Sequence, residues 1–208
     1  MASATRHTSE LIVSTPLTRR TLLVTCAAAG LAGCGSDVST PALPPETAGT
    51  TAPRRSPTRN PTPRQLSIPS LGVDTRLVEL GLQEDGTVEV PSDPATAGWF
   101  RLGTVPGGRG SSVVLGHVDS VDGPAVFAGL STMRPRDRVQ VVLSDESLVD
   151  FEVTGIETYA NADFPAQRVY AGTRRGRELN LVTCGGAYDG ERGGYQSNVV
   201  VFTRRTRP

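Results

Sequence analysis

From Arg64 onward the chain alternates apolar and polar positions over short runs rich in Val, Leu and Ile, cut by Gly, Pro and Asp. That pattern predicts strands over residues 65–68, 75–80, 87–90, 112–117, 138–143, 148–156, 178–183 and 198–203. Glu84-Asp85-Gly86 and Ser144-Asp145-Glu146-Ser147 predict hairpin turns. A helical period is nearly absent, so helical turns are expected only near 125–130 and 164–171. Many short strands at this spacing predict an all-β barrel or sandwich.

Upstream the pattern changes. Residues 1–33 carry Arg6, Arg19 and Arg20 ahead of an apolar run from Thr21 to Gly33, the order of a secretory signal peptide. The run is about 13 residues long, short of the roughly 20 that a spanning helix needs. It ends in Leu31-Ala32-Gly33-Cys34, which resembles a bacterial lipobox with Cys34 as the lipid attachment site. The alternative is an ordinary signal peptide with an incidental Cys. Thr18-Arg19-Arg20-Thr21-Leu22-Leu23 also resembles a twin-arginine export signal, although paired Arg is common in any such leader. Residues 34–63 are dominated by Pro, Thr, Ser, Ala and Gly with no hydrophobic period, and predict a disordered linker. Where its prolines hold it extended, it runs at about 3.1 Å per residue. Residues 64–208, about 145 in all, suit a single domain. The expected layout is a lipid-anchored head on a tether outside a membrane.

Charge narrows the partners. The chain has 21 basic and 21 acidic residues and no Lys. Removing 1–33 takes away three Arg and Glu10, leaving 18 Arg against 20 acids. There is no basic block or aromatic-basic stripe of the kind nucleic-acid binding requires. No nucleic-acid partner is expected, and Arg204, Arg205 and Arg207 read as a solvated tail.

Of 2 His and 3 Cys, His7, Cys26 and Cys34 fall in the leader or at its end. That leaves His117, after Val113-Val114-Leu115-Gly116, and Cys184, after Leu179-Asn180-Leu181-Val182-Thr183. A lone thiol in an exported domain has no internal disulfide partner, so Cys184 is either an inert buried Cys or a nucleophile. His117 is either a hydrogen-bonded core histidine or a proton-transfer group. Both stand at predicted strand ends, which are rigid mounts with an open face. One His and one Cys do not make a three- or four-ligand metal site; no metal and no cofactor are expected.

These two residues belong to a longer ordered set. It includes Ile68-Pro69-Ser70-Leu71-Gly72-Val73-Asp74, a Gly98-Trp99-Phe100 turn, Val114-Leu115-Gly116-His117-Val118-Asp119, Gly123-Pro124-Ala125-Val126-Phe127, Leu181-Val182-Thr183-Cys184-Gly185-Gly186 and Tyr195…Asn198-Val199-Val200-Val201-Phe202. The set covers nearly all of 64–208 and resembles the sortases, cysteine transpeptidases of the Gram-positive cell surface. The resemblance is closest to the class F type common in actinobacteria. It implies a closed eight-stranded sortase-type β-barrel with short helical turns. It implies that Cys184 attacks the carbonyl after a Thr-like residue of an LPXTG-type sorting signal, forming a thioester that an amine releases. His117 would protonate the departing amine and deprotonate the incoming one, with thiolate and imidazolium together as the active form. The implied partners are surface proteins with a C-terminal sorting signal and an amine acceptor of peptidoglycan or pilin type. The implied location is the outer face of the cytoplasmic membrane of a Gram-positive, actinobacterial cell.

The sequence departs from the family at two points. Sortases usually carry an N-terminal membrane-spanning segment where this chain has a lipobox-like leader. The family's substrate-holding Arg, expected near the end of the strand after the Cys, is replaced by Asn198 or Gln196. Arg192 in the loop 189–194 is the nearest candidate, Arg101 and Arg168 are others, and a slow or inactive enzyme is the remaining reading. Thr183 and Asn198 are candidate supports for the oxyanion or substrate, Thr183 being otherwise a plain strand residue. Asp119 either orients His117 or forms a turn, Arg192 is otherwise a solvated loop charge, and Phe164-Pro165 is placed to shape the groove. Two other functions stay open: a thiol hydrolase, and a catalytically impaired sortase-like lipoprotein that binds cell-wall peptide or a partner.

Overall fold

The computed structural model describes residues 61–173 and 175–206. The expected signal peptide, Cys34, nearly all of the linker and Arg207 lie outside them. Ten strands form: β1 (Pro63–Ile68), β2 (Val73–Leu80), β3 (Ala97–Phe100), β4 (Gly110–Leu115), β5 (Asp119–Ser120), β6 (Gly123–Pro124), β7 (Arg138–Leu143), β8 (Leu148–Ala160), β9 (Arg177–Asp189) and β10 (Gly194–Arg205). Eight of them close into a barrel in the order β1-β2-β3-β4-β9-β10-β8-β7, and β1 pairs back onto β7. β5 and β6 make a separate hairpin. The chain is therefore all-β, with short helical turns such as Leu130–Thr132 and the π-helical turn Gln167–Ala171.

Alternation along the strands sends one set of side chains inward. Leu66, Ile68, Val139, Val141, Phe151, Leu179, Leu181 and Val201 fill the barrel together with Trp99 and Phe127. The central strands are apolar on their other face as well: Val113, Leu115, Val182, Val200 and Phe202 build a second cluster with Leu80, Val88 and Val169. This is the signature of strands buried on both sides, and it explains the unbroken run Val199-Val200-Val201-Phe202. The second cluster is where the candidate site lies.

Three sequence expectations change. Residues 87–90 form no strand; Val88 makes a single bridge to Leu82 and sits in the second cluster. The segment read as a Gly98-Trp99-Phe100 turn is instead β3, paired in parallel with β2. Arg204 and Arg205 are not a tail, because both belong to β10 and Arg205 Nη1 donates to the Gly107 carbonyl at 3.3 Å. The two hairpin turns form as expected, with Gly86 N–H donating to the Gln83 carbonyl and Glu146 N–H to the Leu143 carbonyl.

Candidate active site

β4 and β9 run parallel, with Val113 against Asn180, Val114 against Leu181 and Leu115 against Val182. The pairing outlasts β4 itself: the Gly116 N–H donates to the Val182 carbonyl at 3.2 Å, and the Thr183 hydroxyl donates to the Gly116 carbonyl at 2.8 Å. Carried one residue further, this register sets His117 level with Cys184, two residues whose sequence positions are 67 apart like those of Gly116 and Thr183. Alternation along β9 places Cys184 on the outer face with Val182, packed against the second cluster. Gly116 is required at this point, because a Cβ there would stand 2.7 Å from Phe127 and 2.8 Å from Val126. His117 therefore lies two residues beyond its strand, whereas Cys184 lies within one: β9 continues past it as a ribbon with β10. Just after the thiol, Gly186 adopts φ +76° and the register slips between Tyr195 and Ser197, a bulge that bends the ribbon.

His117 is half-buried, and its Nε2 lies 2.7 Å from the Pro91 carbonyl. A carbonyl only accepts, so Nε2 carries a proton and Nδ1 is the nitrogen left free to exchange one. Cys184 is half-buried and unpaired. Its thiol is pushed up to about 11, first by burial and then by the negative charge of Asp119. Asp119 makes no hydrogen bond to His117; its Oδ2 accepts from the Tyr195 hydroxyl at 2.5 Å. That bond, ahead of burial, pushes the Tyr195 phenol up to about 12. Tyr195 in turn stands edge-on to Tyr188 across the ribbon, with ring centroids 5.3 Å apart.

The supporting residues divide between the two faces. Thr183 is fully buried on the inward side, and its hydroxyl is committed to joining β4 to β9. Asn198 pairs directly with Cys184 and is buried. Its Nδ2 donates to Asn161 Oδ1 at 2.9 Å, and Asn161 Nδ2 donates to the Tyr195 carbonyl at 2.8 Å. Asn198 thus anchors the turn Asn161–Asp163 beside the thiol.

Two of the three candidate arginines are held in ion pairs. Arg192 pairs with Asp189 at 3.3 Å and is 76% exposed. Arg168 makes two bonds to Glu157, at 3.0 and 2.7 Å, reaches the Tyr159 hydroxyl at 2.7 Å and stacks 4.0 Å over Phe202. Phe202 pairs with Asn180, four residues along β9 from Cys184, or about 13 Å. Arg101 lies against Gly81, 2.8 Å from where a Cβ would stand. Phe164 packs at the edge of the second cluster near Tyr159 and Tyr170, while Phe164 and Pro165 line a cleft of about 850 Å³ with Arg168 and Phe202. Among the described residues, no group of three or more His, Cys, Asp or Glu is placed to hold a metal ion. Sequence reasoning did not single out Pro91, Asn161 or Tyr188. Pro91 and Asn161 act through main-chain or amide atoms, which leave little side-chain signature, and Tyr188 acts only through the fold of the ribbon.

A closed barrel in which, among the described residues, one thiol lies on a strand and one imidazole just beyond the parallel neighbouring strand defines a narrow class. The family model described as Sortase domain matches residues 66–206, and the chain belongs to the sortase family. Sortase domains are in general those of cysteine transpeptidases. Among solved structures it is similar to sortase A from Corynebacterium diphtheriae, at 18% identity and a TM-score of 0.55, covering 72% of this chain and 63% of that one. It is similar to sortase C2 of the Group B Streptococcus pilus island 1, at 18% identity and 0.54, covering 69% and 73%. It is also similar to sortase C-1 from Actinomyces oris, at 19% identity and 0.54, covering 69% and 73%. At these identities the likeness is one of fold. No curated protein sequence matches the chain.

Proposed function

We propose that this chain is a class F-like sortase that cleaves an LPXTG-type sorting signal through a thioester on Cys184 and passes the acyl group to an amine. The observation that supports the reading is the parallel β4–β9 register, which pairs Leu115 with Val182, each two residues ahead of His117 and Cys184. The resting thiol is neutral, because burial and Asp119 hold the proton on sulfur. Reaction proceeds from the minority state in which that proton has moved to His117 Nδ1, the Nε2 proton staying with the Pro91 carbonyl. The thiolate attacks the signal's carbonyl carbon, and the imidazolium protonates the departing amine. Thr183 acts here as a positioning residue, since its hydroxyl faces away from the thiol. Asn198 holds the adjoining turn, and the groove edge at Phe164 and Pro165 meets the signal. Arg192 is the donor for the developing oxyanion, because its exposed pair with Asp189 is worth only about 0–1 kcal/mol and is readily exchanged for substrate.

In this reading Cys34 carries the lipid that holds the head at the outer face of the cytoplasmic membrane of a Gram-positive, actinobacterial cell. The substrates are surface proteins with a C-terminal sorting signal, and the acceptor is an amine of peptidoglycan or pilin type. The test is incubation of the full chain with an LPXTG-type peptide and an amine. Intact mass should show an acyl adduct on Cys184 and a ligated product. Cleavage by Cys184→Ala at the wild-type rate would end the proposal. A second reading, a catalytically impaired peptide-binding lipoprotein, is favoured by the engagement of Arg168 with Glu157 and of Arg192 with Asp189. It predicts peptide binding without an adduct and indifference to His117→Ala.

A further inference from the structure

Asp119 is an exposed carboxylate fixed in place from two sides. Its strand β5 pairs with β6, with Asp119 opposite Pro124. Its Oδ2 is gripped by the Tyr195 hydroxyl, whose ring is braced by Tyr188. The two ion pairs among the described residues are Arg168 with Glu157 and Arg192 with Asp189, so among those residues Asp119 has no cation of its own. It follows His117 by two residues, and its charge reaches the Cys184 sulfur. That charge opposes the thiolate needed in the first half of the reaction. A fixed group that works against one step of a site is where a second role is to be sought. Once the sulfur is acylated it no longer ionises, and the opposition disappears. What remains is an uncompensated negative charge beside a thioester awaiting an amine, and primary amines are ammonium ions at neutral pH.

We propose that Asp119, held by Tyr195, is the specificity element that draws a positively charged amine acceptor to the Cys184 thioester. The inference rests on the transpeptidase reading above. The ammonium settles against the free Oδ1 and loses one proton to bulk water. The neutral amine then attacks the thioester carbonyl. As the C–N bond forms and the C–S bond breaks, the surplus amine proton passes to His117 Nδ1 and the sulfur leaves as thiolate, restoring the thiolate–imidazolium pair. Tyr195 aims the carboxylate and takes no part in the bond changes.

The test offers one thioester two acceptors at once. The full chain is acylated with an LPXTG-type peptide in equal concentrations of cadaverine, a cation at neutral pH, and hydroxylamine, which is uncharged there. The ratio of the two products is independent of how fast the thioester forms. Asp119→Asn should lower the cadaverine-to-hydroxylamine ratio about tenfold, added salt should lower it in the wild type, and Asp119→Glu should keep most of it. A ratio within about twofold of wild type in Asp119→Asn overturns the assignment, as does an equal fall in the Asn and Glu variants. Absence of both products from the wild type would instead overturn the transpeptidase reading on which it stands.

Discussion

At Cys184 two influences act in the same direction, burial and the Asp119 carboxylate, and both favour the neutral thiol. Alkylation of Cys184 by iodoacetamide should accordingly be slow near neutrality and climb toward pH about 11, and Asp119→Asn should move that rise to lower pH. Stability follows with a definite sign. Below the ordinary thiol value of 9.0 the folded and unfolded chains are both protonated, so the group adds no pH dependence. Between 9.0 and about 11 only the unfolded thiol ionises, and the fold loses stability as pH rises. Denaturation midpoints across that window should fall more steeply for wild type than for Cys184→Ala; parallel curves would contradict the assignment. Arg192 is the other residue whose substitution is informative. If it supplies the oxyanion donor, Arg192→Ala should lower kcat/KM by about a hundredfold or more, with thermal stability nearly unchanged because its ion pair is exposed. A drop of less than about threefold would return the role to Arg101 or Arg168.

At the scale of elements, the bond from the Thr183 hydroxyl to the Gly116 carbonyl is what carries the β4–β9 pairing up to the site. Thr183→Val keeps the shape but leaves that buried carbonyl short of a partner, at a cost of about 1–3 kcal/mol; Thr183→Ser should recover most of it. Urea unfolding measures both, and equal stability of Val and Thr would show that the bond does not matter. The same region shows what the sequence conveyed. Seven of the eight barrel strands were legible because short runs rich in Val, Leu and Ile stand between strong turn residues. β3 was not: Ala97-Gly98-Trp99-Phe100 has no β-branched residue, and sixteen residues separate it from its parallel partner β2, beyond any local pattern. Residues 87–90 misled in the opposite direction, since Val88 and Val90 are apolar in order to cover the second cluster. His117 and Cys184 could be singled out as unique residues, but their alignment is a property of strand register that no short segment encodes. The links from Asp119 to Tyr195 and from His117 to the Pro91 carbonyl are long-range for the same reason.

For the whole molecule, closure of the barrel depends on β1, which pairs with both β2 and β7 and buries Leu66 and Ile68 completely. Each such side chain is worth about 1.5–3 kcal/mol, and the two together take a large part of the roughly 5–15 kcal/mol that holds a domain folded. Deleting Pro63–Ile68 should abolish the cooperative thermal transition followed by circular dichroism; a retained transition would mean that the barrel does not need its seam. The parallel pairing of β4 with β9 has a kinetic consequence. The hairpins β7–β8 and β9–β10 are local and form early, while the pairing that aligns His117 with Cys184 must first close a long loop, the slow kind of step in β-rich chains. During refolding, the proposed peptide-cleaving activity should therefore return with the slowest phase, after most strand signal has already been regained. A chain with every hairpin formed would still lack the alignment that the proposed reaction needs until that long-range contact is made.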